Sequence, residues 1–396
     1  MITVTLDTIK FHLKEIHDFS WLQAIGNVFA VFDQNDSGNI SFGVARGSAK
    51  IFHKVAGIAT AESIRTKEEA IASLKSAMSV YETITHPHLI ELIDHGSLDD
   101  LYISVFKWTS GDCLFDHWNF EKYDNNPQLI PPAKRFRQLP LKKRIAAAEV
   151  LFSFLNTVSE SGYVAVDFYA GSIMYDFQTD RITICDIDLF RKKPSINDMG
   201  EDYWGTKRLK APEEYCYGAA IDEITNVYTL GALLFDSFFG HYTEEEIRTR
   251  YEQNAFSPCS FEQWELNRAC YDVACKAVSP EKLKRYSSID SFYKELEIKL
   301  CDKTTLNNLN TYRHIFYQEK SPISSHQMTV ILLLSYRSIW ALFYRKASVS
   351  VKLLFIFTMA ETAFHPRIQI CIYRFRSVSF RISCLSFSYN LICTSL

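Results

Sequence analysis

The sequence predicts an α+β protein of two lobes, a small β-rich lobe followed by a larger helical one. Three observations predict it. Short apolar runs with strand alternation and Gly-containing turns fill the chain up to about residue 107. Amphipathic patterns of helical period dominate from Leu141 onward. Between them Trp108-Thr-Ser-Gly111 forms a small linker. At 396 residues, with 47% hydrophobic and 22% charged, the composition is that of an ordinary globular protein with room for a large core. The expected division is residues 1–107, residues 108–300, and a tail, residues 301–396.

In order, Phe19 to Phe32 reads as strand-rich and leads into Asp33 to Val44. Asp33, Asn35, Ser37 and Gly38 mimic part of a calcium loop. Val44, however, stands where a bidentate Glu is required, and no helices flank it. A hairpin fits better, its turn Ser37-Gly38-Asn39 offering backbone N–H groups of the kind that meet phosphates. A second turn at Arg46-Gly47-Ser48 returns the chain into Lys50 to Lys54, an alternating strand carrying Lys54. Thr66 to Ile84 has helical period, with Thr66 and Glu69 at capping-box spacing. His86-Pro87 ends it, and Leu89 to Ile93 and Tyr102 to Phe106 follow as strands. Asp124 to Pro140 is polar and Pro-containing, as in a surface loop, and Leu141 to Val158 is an amphipathic helix. Asn226 to Phe239 is apolar almost all round, a buried helix stopping at Gly240. Helices at Phe261 to Val278 and Ile289 to Leu300 close the body.

Chemistry concentrates in Gly162 to Phe190. An apolar run stops at Asp167, Ser172 follows, and after a turn at Asp176 to Asp180 the run Ile182 to Cys185 ends at Asp186. The pattern predicts a β-hairpin with a carboxylate at the outer end of each strand. Two such acids with a short hydroxyl between them suit general-base work and Mg²⁺ coordination.

Charge and cysteines exclude other classes. Residues 321–396 carry eight Lys or Arg and one acid, so residues 1–320 hold 35 basic and 45 acidic groups, net −10. An acidic body argues against a nucleic-acid partner. Ten cysteines include no C-x-x-C pair, which disfavours a zinc site or a disulfide framework. The N-terminus has acids and no uninterrupted apolar core, so a cytoplasmic protein with free thiols is expected. In the tail, Met328 to Tyr344 sits at the lower length limit of a membrane span. Arg337 at its middle costs roughly 2.5–3.5 kcal/mol on insertion scales, so membrane contact through the tail is not expected. The abrupt loss of acids and of periodicity marks the tail as a segment not selected to fold, disordered or translated out of frame.

Taken together, the motifs resemble the protein kinase family, and most of all a divergent bacterial serine/threonine-kinase-like group. His86-Pro87-His88-Leu89 resembles its turn after helix C. Val166-Asp167 with Ser172 resembles H-R-D-x-x-x-x-N, and Asp186-Ile187-Asp188 occupies the D-F-G position nineteen residues after Asp167. Ala211-Pro212-Glu213 matches A-P-E, Asn226-Val-Tyr-Thr-Leu-Gly231 resembles D-V-W-S-L-G, and Arg285 resembles the arginine that pairs with the A-P-E glutamate. The likeness spans roughly residues 20–300.

The resemblance implies ATP and Mg²⁺ as cofactors and phosphoryl transfer to a protein or small hydroxyl-bearing acceptor. Lys54 would pair with the nucleotide phosphates and the Gly38 turn would cover them. Asp186 would hold the metal, with Ser172 and Asp188 as further ligands, and Asp167 would orient the acceptor hydroxyl and take its proton. The departures are equally specific. Ser172 replaces the loop Asn, Tyr169 the loop Lys, Asp188 the D-F-G glycine, and Phe52 the Ala two residues before the strand lysine. No acid occurs from Ala70 to Tyr81, where helix C would offer a Glu to Lys54. Two functions follow: an active serine/threonine protein kinase, or a pseudokinase-type binding module that keeps the fold without catalysis.

Overall fold

Apolar residues alternate at Ile2, Val4 and Leu6 and again at Ile9, Phe11 and Leu13. They fold the N-terminus into a hairpin, β1 (Ile2–Leu6) and β2 (Ile9–Leu13). The computed structural model describes residues 1–300 apart from 34–36, 116–121, 124, 127 and 253–255. The chain divides into two units, Met1–Asn310 and Thr311–Leu396. The second unit, like the whole expected tail, lies outside the described residues.

Phe19 to Phe32, expected as strand, is half helix. Asp18 accepts hydrogen bonds from the Ser20 amide and hydroxyl, a local bond that starts α1 (Ser20–Ile25) before β3 (Asn27–Phe32) begins. Apolar alternation alone does not reveal such a bond. β3 joins β4 (Asn39–Arg46), β5 (Ala49–Ala56), β6 (Leu92–Leu98) and β7 (Leu101–Lys107) in one antiparallel sheet of order β3-β4-β5-β7-β6. Lys54 therefore lies on the central strand, opposite Ser41 of β4 and Ser104 of β7.

Both faces of this sheet are covered. Phe11, Leu13, Phe19 and Leu22 of the N-terminal hairpin and α1 pack with Phe42 and Val44 in one core cluster. The other face meets α2 (Lys67–Thr83), which buries Ala70, Leu74, Ala77, Met78 and Tyr81. Its N-terminus is the capping box read from the sequence: Thr66 Oγ1 accepts from the Glu69 amide and Glu69 Oε2 from the Thr66 amide. The strand expected from Leu89 begins at Leu92 instead. Leu89 and Ile90 serve the lobe junction, where the Ile90 amide donates to Ile184 O at 2.8 Å and the Ile184 amide to His88 O at 2.7 Å.

Beyond Lys107 come β8 (Asp112–Cys113), α3 (Pro132–Arg137) and α4 (Leu141–Glu160). α3 corrects the surface-loop expectation for Asp124 to Pro140. Phe136 is fully buried, edge-on to Tyr175 and Phe238 with ring centroids at 5.1 Å, and this single apolar anchor folds the polar stretch inward. β9 (Tyr163–Val164) pairs with β12 (Arg191–Lys192), and β8 extends the hairpin of β10 (Ile173–Asp176) and β11 (Arg181–Ile184). β13 (Ser195–Ile196) pairs with β14 (Ala220–Ile221). α5 (Glu223–Leu233) continues through a π-helical turn, Leu234–Phe239, to the expected stop at Gly240.

α6 (Glu244–Glu252), α7 (Arg268–Ala277) and α8 (Ile289–Leu300) complete the helical part. α7 is shorter than the expected Phe261 to Val278, because Asn267 caps it by accepting from the Cys270 amide at 2.8 Å. Leu151, Phe154, Leu155 and Val158 of α4 are fully buried, each worth about 1.5–3 kcal/mol relative to exposure. Among the described residues no helix is long and apolar enough to cross a membrane, and Cys113, Cys185, Cys216, Cys259, Cys270 and Cys275 are free thiols.

Candidate active site

β5 delivers the Lys54 ammonium to the end of β11. Nζ stands 3.0 Å from Asp186 Oδ1 and 2.7 Å from Asp188 Oδ2. Burial alone would lower the ammonium pKa, but the two carboxylates outweigh it and hold the group above its ordinary range. Lys54 is therefore a fixed cation. The two acids differ in setting. The Asp186 side chain is 54% exposed and that of Asp188 only 12%. The reason is local: Ile187 between them is fully buried, and the Cys185 amide is tied to Ser172 O at 2.9 Å. Asp186 itself has a φ of +53°, a backbone state that Asp tolerates better than most residues.

Helix α2 offers Lys54 no acid, as the sequence shows. It offers Tyr81, whose hydroxyl donates to Asp188 Oδ1 at 2.8 Å and accepts from the Ile187 amide at 3.1 Å. Burial first, then Asp188 and Asp186, push the phenol pKa well up, so it stays protonated. In the sequence Tyr81 stands only as one residue of the helical-period run Thr66 to Ile84. A buried tyrosine on such a run needs a partner for its hydroxyl, and that was the available signal.

Asp167 is placed differently from the expectation. It does not end a strand of the hairpin: β10 starts at Ile173, and Asp167 sits before the 3₁₀ turn Ala170–Ser172 that leads into it. Its φ is +55°. Phe168, 2% exposed, anchors the next position among Phe154 and Phe190. Tyr169 folds over Gly171, where any Cβ would collide with the ring. Its pKa is raised by burial first and then by the carboxylates of both Asp167 and Asp186. One phenol thus senses both acids. On its other side Asp167 adds to the shift of Glu214, which burial pushes up to about 8.

Ser172 is fully buried, and its Oγ has no hydrogen-bond partner among the described residues. An enclosed hydroxyl and an exposed carboxylate, Asp186, are oxygen donors of the type Mg²⁺ takes when phosphates and water complete its shell, and the Cys185 amide bond to Ser172 O links the two segments that carry them. Among the described residues no group of three or more His, Cys, Asp or Glu is arranged to hold a metal by itself. Gly38 has a φ of +79°, and a Cβ there would lie 2.9 Å from Ala70 Cβ. Its glycine character is accounted for by close approach to the first turn of α2. Phe52 joins an aromatic group: Phe29 and Trp108 at 4.6 Å, Phe32 and Phe52 at 5.9 Å, Phe52 and Trp108 at 6.4 Å. Gly43 makes room for it, since a Cβ there would meet Phe29 and Trp108 at 2.8 Å. Away from the cleft, Arg285 grips Glu213 with two bonds, 2.7 and 2.9 Å, as a buried pair.

No protein-family model matches the chain, and no curated protein matches it in sequence. Structure comparison aligns it with the kinase PK-1 of Cydia pomonella granulovirus at a TM-score of 0.51 and 14% identity, over 70% of this chain and 96% of that one. With its β-sheet-rich first part, its helical second part and this neighbour, the chain has a protein-kinase-like fold.

Proposed function

We propose that the protein is an ATP-dependent phosphotransferase, a divergent serine/threonine protein kinase acting on a protein or small hydroxyl-bearing acceptor. The observation that carries it is the 3.0 Å ion pair between Lys54 on the central strand and Asp186 after β11. Lys54, a fixed cation, binds the nucleotide phosphates, and the backbone of the Gly38 turn covers them. Asp186, with Ser172 as a second donor, would hold Mg²⁺, which would neutralise charge on the phosphates. Asp167 orients the acceptor hydroxyl and takes its proton. Tyr169, half-buried, is near enough to both acids to feel their charge. Such transfer is mostly positioning and charge neutralisation, and these residues supply both.

A second reading, a pseudokinase-type binding module, is favoured by the aromatic group. Phe52 stands two residues before Lys54, where the resemblance has an Ala beside the adenine, and its ring packs with Phe32 and Trp108. Thermal unfolding with ATP and Mg²⁺ separates the two: at 100 times Kd one site stabilises by about 2.7 kcal/mol. A response to ATP and radiolabelled phosphate transfer that Asp167→Asn abolishes support the enzyme. No response supports the module, and transfer that survives Asp167→Asn removes Asp167 from its role.

A further inference from the structure

We infer that Asp188, held by Tyr81 of α2, is the carboxylate that positions Lys54, and that Asp186 is thereby left to the metal. The inference rests on the phosphotransfer reading for its purpose and on nucleotide-free geometry for its substance. Both acids touch the ammonium, so the question is which one fixes it. Asp188 is closer, 2.7 against 3.0 Å, and its side chain is 12% exposed against 54%. An ion pair with one member half in water is screened and weak, whereas an enclosed pair is directional and costly to break.

Both oxygens of Asp188 are engaged, Oδ2 by Lys54 and Oδ1 by the Tyr81 hydroxyl, so the carboxylate plane is set from two sides. Tyr81 is set in turn by the Ile187 amide and by its ring against Phe106 of β7, with centroids 5.0 Å apart. A continuous chain runs from α2 through Tyr81 and Asp188 to Lys54. It ties the helix to the strand lysine although α2 carries no acid between Ala70 and Tyr81. Asp186, on the exposed side, keeps a carboxylate able to exchange the lysine for a cation.

The test uses the full chain and begins without nucleotide. Double-mutant unfolding cycles pair Lys54→Met with Asp188→Asn and, separately, with Asp186→Asn. The expected coupling to Asp188 changes the folding equilibrium by about tenfold or more, with a clearly smaller coupling to Asp186. Equal couplings, or a larger one to Asp186, overturn the inference. If Asp188→Asn does not fold, Tyr81→Phe decides. It should speed hydrogen exchange of the Ile187 amide by about tenfold while amides of α4 are unchanged, and unchanged Ile187 exchange overturns the chain of contacts.

Affinity for a non-hydrolysable ATP analogue then separates the roles. Asp188→Asn should weaken binding alike in EDTA and in Mg²⁺, and Asp186→Asn only in Mg²⁺. The reverse pattern overturns the assignment. Wild-type protein that binds no analogue removes the phosphotransfer reading, and the unfolding cycles still decide the Lys54 partner.

Discussion

Asn226 of α5 holds the backbone of Ala165 by both its polar atoms. Its Oδ1 accepts from the Ala165 amide at 2.9 Å, and its Nδ2 donates to the Ala165 carbonyl at 2.7 Å. Both residues are buried, and Asp167 lies two positions on. The site's proposed base is therefore carried by the most enclosed helix of the larger lobe. Asn226→Asp, which restores the acid of the family pattern, removes the donor and leaves a buried carbonyl unpaired. It should cost about 1–3 kcal/mol in urea unfolding and, in the active enzyme, lower the transfer rate.

The Glu213–Arg285 pair is enclosed, with the Arg285 side chain 0% and the Glu213 side chain 9% exposed. Arg285→Met leaves the buried Glu213 with Lys282 Nζ, 3.8 Å from its Oε1, as its remaining cationic neighbour among the described residues. A loss of about 3–5 kcal/mol is expected by denaturant titration. The double variant with Glu213→Gln should recover part of it.

Glu214 gives a pH dependence of known sign. Its pKa of about 8 in the folded protein exceeds the ordinary 4.5, through burial first and the neighbouring carboxylates after it. Between those values the folded state keeps a proton that the unfolded chain has lost. Its stabilising contribution is full below about 4.5 and is lost as pH rises to about 8, at up to about 1.4 kcal/mol per pH unit. Glu214→Gln keeps an acceptor for the Ala211 amide and should flatten that slope. Urea midpoints of both proteins measured across this range check it.

Phe52→Ala removes the ring that packs with Phe32, Phe106 and Trp108. Expected is tighter ATP binding by titration calorimetry, together with some loss of stability from the vacated ring. Weaker binding would place the purine elsewhere.

Removal of residues 321–396 should leave melting temperature and the response to ATP as in the full chain, if that segment was never selected to fold. Calorimetry of the two proteins side by side reads the outcome.

Much of the frame was legible from sequence because it rests on local patterns. The Thr66–Glu69 capping box, the strand carrying Lys54, the turn at Gly47 and the helix Ile289–Leu300 all follow from spacing and turn chemistry. Two errors fell where a tertiary partner decides, beside those at Ser20 and Asn267, which local caps decide. Phe136 turns a polar stretch into a helix through rings distant in sequence, and Ile90 leaves its strand to meet Ile184. At the site, the missing helix acid was visible but its replacement was not. Tyr81 and Asp188 are 107 residues apart, and no periodicity joins them.

Asp167 and Asp186 share a left-handed backbone, with φ of +55° and +53°. Alanine scanning at these two positions would confound lost chemistry with a conformational penalty, because Ala disfavours that region. Asparagine tolerates it and removes only the charge. On backbone grounds alone, both positions accept Asn and Gly at little conformational cost and penalise β-branched residues whatever their polarity.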